Sequence, residues 1–102
     1  RSVLTGAERI FLVGIGGAGM SGLARLARWE HGFHVAGTDS ARSPETDRLE
    51  AEGFPVHLGH SGDALEEFAV GRTVLVVSDA IDLNVSPEVA RARELSVPIV
   101  RR

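Results

Sequence analysis

Gly14, Gly16 and Gly19 follow the apolar run Ile10-Phe11-Leu12-Val13 and open a stretch of helical character. This is the G-x-G-x-x-G spacing in the context that gives it meaning, after a strand and at the mouth of a helix. The chemistry it suits is the binding of a diphosphate. Gly14 permits the tight turn, Gly16 lets a pyrophosphate approach the backbone, and Gly19 lets the new helix lie close to a sheet. Peptide N–H groups in a helix's first turn lack intrahelical partners, so those of Gly16, Gly17, Ala18 and Gly19 are expected to face the anion. A strand-to-helix turn with no ligand is the competing reading of the same glycines. Ile15, in the loop, joins the candidate set. Met20 reads as core or pocket wall, and Ser21 either adds a hydroxyl or faces solvent.

The remaining candidates sit where other apolar runs end. Asp39 lies 20 residues after Gly19. An acid there accepts ribose hydroxyls in a dinucleotide site; otherwise it caps its own loop. Thr38 is its softer companion. His60, in Gly59-His60-Ser61, either touches a ribose or diphosphate or is an exposed loop histidine, and Ser61 reads as a helix cap. Ser78 and Ala80 follow Thr73–Val77 and are placed to frame a bound nucleotide; Asp79 and Asn84 are weaker candidates. Arg42 is either a positive charge near phosphate or a solvated loop arginine. His31, His34 and His57 lack zinc spacing such as H-E-x-x-H. No G-x-S-x-G elbow presents a nucleophile, so little or no catalysis is expected from this chain alone.

Composition narrows the function. A length of 102 residues argues for one domain. A formal charge of −3 offers no basic field for nucleic acid. Without Cys there is neither a disulfide framework nor a thiolate metal site. No run approaches the roughly 18 apolar residues of a membrane span, and the opening Arg1-Ser2-Val3 lacks signal-peptide architecture. All 11 basic residues are Arg. A Walker A loop needs a lysine, so an ATP centre of that type is excluded. With no initiator methionine and a terminal Arg101-Arg102, the chain is expected to be a piece of a longer protein.

The elements that must hold these residues alternate. Strands are expected near 9–13, 33–37, 54–58, 73–77 and 97–100, and helices near 18–31, 44–52, 62–69 and 87–95. Met20, Leu23, Ala24 and Ala27 recur at helical spacing. Ser43-Pro44 and Ser86-Pro87 each pair an N-cap serine with a proline in the first helical position. Short strands alternating with short helices imply an α/β, Rossmann-like three-layer sandwich with a five-stranded parallel sheet of order 3-2-1-4-5. Every candidate loop follows a strand and so falls on one edge of that sheet.

The run Gly14-Ile15-Gly16-Gly17-Ala18-Gly19-Met20-Ser21-Gly22 resembles the opening of the Mur ligases, above all their alanine-adding branch. Val35-Ala36-Gly37-Thr38-Asp39, Gly59-His60, Val76-Val77-Ser78-Asp79-Ala80-Ile81, Pro87-Glu88, Ala92-Arg93-Glu94 and Val97-Pro98-Ile99-Val100 are similar to later family strings in order. Asp79 stands where the family usually has a serine, and the 82–86 loop carries one extra residue. The resemblance implies the amino-terminal domain of a cytoplasmic three-domain enzyme of peptidoglycan synthesis. That domain holds the UDP part of UDP-N-acetylmuramate. ATP and magnesium act in a central domain, where L-alanine is joined to the lactyl carboxylate. No membrane or nucleic-acid partner is implied. The glycines with Asp39 also support an NAD-binding domain of a dehydrogenase or regulatory protein. The same residues fit, in addition, a related ligase that recycles murein peptides, or an interaction module with a degenerate pocket.

Overall fold

The computed structural model describes residues 8–102. Nine elements alternate along it: β1 Arg9–Val13, α1 Ala18–His31, β2 His34–Asp39, α2 Pro44–Ala51, β3 Val56–Leu58, α3 Asp63–Phe68, β4 Thr73–Val77, α4 Pro87–Glu94 and β5 Ile99–Arg101. The strands form one sheet of order β3-β2-β1-β4-β5, and every pairing is parallel. This is the expected topology. β1 lies between β2 and β4, so the chain reverses its direction of winding above β1 and β4, where such sheets open a crevice.

Side chains alternate across a strand, which divides the core in two. Ile10, Leu12, Val74 and Val76 face one side, where Met20, Ala24 and Ala27 of α1 and Leu49 of α2 cover them. Phe11, Val13, Leu75 and Val77 face the other, under Leu65 of α3 and Val89 and Ala92 of α4. Burial on both faces explains the continuous apolar runs of β1 and β4.

Three strands begin later than the sequence suggests, for one reason. The first residue after each preceding turn closes a helix instead of pairing. Phe33 N–H donates to Ala27 O, Phe54 N–H to Leu49 O, and Val97 N–H to Ala92 O. Only then does the ladder start, at His34, Val56 and Ile99. The serine caps form as expected. Ser43 Oγ accepts the Thr46 N–H at 3.1 Å while Thr46 Oγ1 accepts the Ser43 N–H at 2.8 Å, a reciprocal box. Ser86 Oγ accepts the Val89 N–H at 3.2 Å. The N-cap of α3 is Gly62, not Ser61; Ser61 Oγ still accepts the Asp63 N–H at 3.3 Å.

The glycine with least room for a side chain is Gly37, within β2, not Gly19. A Cβ on Gly37 would collide with the Leu12 carbonyl and lie 2.8 Å from Ile15 Cβ. A Cβ on Gly19 would meet only the Arg102 side chain, at 3.6 Å. Outside the core, Arg25 of α1 clamps α2 and its end. It donates to Glu52 at 2.8 and 3.0 Å and to Glu45 at 2.9 Å. Arg25, then the buried Ser21 hydroxyl, then Arg48 hold the Glu45 carboxyl down at about 2.

Gly37→Ala should cost about 3 kcal/mol, because backbone and a β-branched neighbour must both shift; urea melts with an unchanged slope would measure it. The depressed Glu45 group stabilises the fold at pH values above its unfolded-state value and ceases to do so as pH falls toward 2. Glu45→Gln should therefore flatten the stability–pH curve below about pH 4.5 and lower it above.

Candidate functional site

The glycine loop is bolted to β2. Gly14 takes φ +80°, a left-handed turn that glycine adopts without strain. Its N–H and that of Ile15 both donate to Thr38 O, at 2.8 and 3.0 Å. Ile15 then turns fully into the core beneath the loop. The Asp39 carboxylate ties the next residue: Oδ2 accepts the Gly16 N–H at 2.8 Å, and Oδ1 accepts the Ser40 N–H at 2.8 Å. A Cβ on Gly16 would stand 2.8 Å from both Asp39 Oδ2 and Thr46 Cγ2, so this position has no room for a side chain. Asp39 thus caps its loop.

Two of the four expected N–H donors are already engaged. Gly16 serves Asp39, and Gly17 N–H donates to Gly14 O at 2.9 Å. Met20 and Ser21 close the first turn onto Gly17 O. The N–H groups of Ala18 and Gly19 have no acceptor among the described residues. They open on a cavity of about 570 Å³ lined by Gly14, Gly16 through Met20, Asp39 and Ser43 on one side and by Ser78 and Arg102 on the other. That size suits a small-molecule ligand. Unpaired N–H groups at the positive end of a helix favour an anion.

The other candidates are distributed around this mouth. Ser21 is buried and bonded to Glu45, away from the cavity. Arg42 is held at α2 by Asp47 and Glu50, at 2.6 and 2.7 Å. Thr38 is buried, and its hydroxyl donates to Glu88 Oε2 at 2.7 Å. His60 and Ala80 line an adjoining cavity of about 180 Å³ with Val13, Ile81, Val85 and Glu88. Asn84 lies on the exposed loop, where its N–H donates to Asp82 Oδ1. Among the described residues no three His, Asp or Glu side chains gather as a metal site.

Two residues outside the sequence-derived candidates organise this edge. Glu88, in the first turn of α4, is 1% exposed. Its Oε2 also lies 2.6 Å from His60 Nδ1, and its Oε1 accepts the Ser86 hydroxyl at 3.2 Å. One carboxyl group thereby joins β2, the loop after β3 and the start of α4. Arg102 is the other, extending β5 into the cavity wall. Their positions give the available signal: each sits on the same sheet edge as the candidate loops. Arg101 beside it donates to the carbonyls of Asp79 and Ile81, at 3.2 Å each, and so holds the loop after β4.

Residues 9–102 match the family described as Mur ligase family, catalytic domain. Over 98 residues the chain is 44% identical to the UDP-N-acetylmuramate–L-alanine ligase of Streptomyces avermitilis, covering 96% of this chain and 20% of that protein. The protein of the same name from Saccharopolyspora erythraea is 46% identical over 97 residues, covering 93% of this chain and 19% of that one. The chain thus spans about a fifth of the length of these curated relatives. The crystal structure of the UDP-N-acetylmuramate–alanine ligase of Thermotoga maritima superposes with TM-score 0.78 at 33% identity, over 92% of this chain and 20% of that chain. The UDP-N-acetylmuramate:L-alanyl-gamma-D-glutamyl-meso-diaminopimelate ligase from Neisseria meningitides gives 0.79 at 32% identity, over 93% and 28%.

Glu88→Ala leaves the buried Thr38 and Ser86 hydroxyls and the half-buried His60 ring without their shared partner. It should cost about 1–3 kcal/mol, the penalty of an unsatisfied buried polar group, measured as a lowered urea midpoint.

Proposed function

The chain belongs to the Mur ligase family, and on that premise we propose that its main cavity holds the diphosphate of UDP-N-acetylmuramate. The observation that carries this reading is the pair of open N–H groups, Ala18 and Gly19, at the head of α1 and in the wall of a ligand-sized cavity. Two phosphates placed there meet the positive end of a 14-residue helix. Gly14, Gly16, Gly17 and Met20 shape the wall, and Ser78 supplies a hydroxyl from the end of β4. His60 and Ala80 line the smaller adjoining space, which serves the uridine or sugar end. Thr38 and Ile15 act from beneath, by holding the loop in shape. Asp39, with both oxygens already accepting N–H groups, keeps the loop closed and has lone pairs left for a ligand hydroxyl.

In this reading residues 1–102 are a single substrate-binding domain of a three-domain cytoplasmic enzyme. The enzyme joins L-alanine to the lactyl carboxylate of UDP-N-acetylmuramate in peptidoglycan synthesis. ATP and magnesium belong to the rest of that enzyme: this chain contains no lysine and therefore no Walker A loop. Alone, the chain binds and does not ligate. A ligase acting on murein peptides would use the same nucleotide half, and the Neisseria structure keeps that reading open at 32% identity. The 44–46% identities to alanine ligases favour the first.

Calorimetric titration tests the assignment. UDP-N-acetylmuramate should bind saturably and NAD should not. Tighter binding of NAD, or binding of neither by a chain that melts cooperatively, would replace this reading with a dinucleotide domain or an interaction module.

A further inference from the structure

The cavity has a cation that the glycine motif does not predict. Arg102 N–H donates to Val77 O at 2.7 Å, continuing the β4–β5 ladder one residue past the Val77–Arg101 pair. That bond fixes its Cα at the carboxyl edge of the sheet. From there the side chain crosses to α1, with Nε and one terminal guanidinium nitrogen 3.6 Å from where a Gly19 Cβ would sit. The third glycine of the motif therefore borders a guanidinium instead of the sheet.

This arginine is also differently occupied from its neighbours. Arg25, Arg42, Arg48 and Arg91 are paired with carboxylates, and Arg101 with two loop carbonyls. Among the described residues no carboxylate pairs with the Arg102 guanidinium. Across the mouth stands the Asp39 carboxylate, which would repel an incoming anion. A planar fork of donors with no anion of its own, beside two open N–H groups, matches phosphoryl oxygens.

Resting on the diphosphate reading above, we propose that Arg102 is a ligand-contacting residue. Its guanidinium takes phosphoryl oxygens against the N–H groups of Ala18 and Gly19, and this makes the site select a nucleoside diphosphate over the uncharged nucleoside. Gly19 is then small so that helix mouth and guanidinium reach the same phosphate.

The test uses the 102-residue chain with UDP-N-acetylmuramate, UDP and uridine as probes. Arg102→Ala should weaken both diphosphates roughly tenfold to hundredfold, the loss expected for one charge-assisted contact, and leave uridine within about twofold. Arg102→Lys should fall between, because charge remains and the fork is lost. Arg93→Ala, which removes an equal charge from the exposed side of α4, should change nothing. Melting temperatures confirm that each variant is folded. Unchanged UDP affinity in Arg102→Ala, or an equal loss for uridine and UDP, would overturn the inference and leave the diphosphate site standing. A wild-type chain that binds none of the three would overturn both.

Discussion

The site depends on a backbone-to-carboxylate tie between two strands that are distant in sequence. Asp39, at the last residue of β2, accepts the Gly16 N–H, while Thr38 O beside it takes the Gly14 and Ile15 N–H groups. Three consecutive loop amides are thus satisfied by two consecutive residues of a neighbouring strand. A glycine-rich loop has high backbone entropy when free. These bonds hold the loop in one shape, Gly17 N–H turns back onto Gly14 O, and the N–H groups of Ala18 and Gly19 are left open. The tie also explains the residue types. Gly16 must lack a side chain because the carboxylate and Thr46 occupy its place, and Gly37 must lack one because Ile15 packs there.

The other half of this sheet edge is built on a different principle. It has no glycine loop but a buried hub, the Glu88 carboxyl group, which joins elements from three parts of the chain. Placed in the first turn of α4, an acid is favoured by the helix dipole and by the adjacent serine cap. Arg101 then fixes the loop after β4 through two carbonyls. The two braces meet at Thr38, whose carbonyl holds the glycine loop and whose hydroxyl donates to Glu88.

Much of this is legible in the residues. The apolar runs of β1 and β4, the Ser-Pro caps and the glycine spacing are local signals, and they give the strand order, the crevice and its helix mouth. Strand starts are displaced at Phe33, Phe54 and Val97 because helix closure competes for the first N–H, and apolar character alone does not register that competition. The site is legible in kind but not in partnership. That Asp39 would serve Gly16, or Ser21 serve Glu45, depends on which side chains the fold brings into hydrogen-bonding reach, and no periodicity carries that. Glu88 and Arg102 give no local signal, because a single charged residue in a first helical turn or at a strand end looks like ordinary surface. Their meaning comes from the sheet edge they share.

The outermost strands have a consequence for solution behaviour. β3 and β5 are three residues long, and each is preceded by a proline, Pro55 and Pro98, that lacks an amide hydrogen. At the β3 border a foreign strand finds only a short rail to pair along. The β-branched run of β4 lies inside the sheet, with its hydrogen-bonding groups taken up by β1 on one side and β5 on the other.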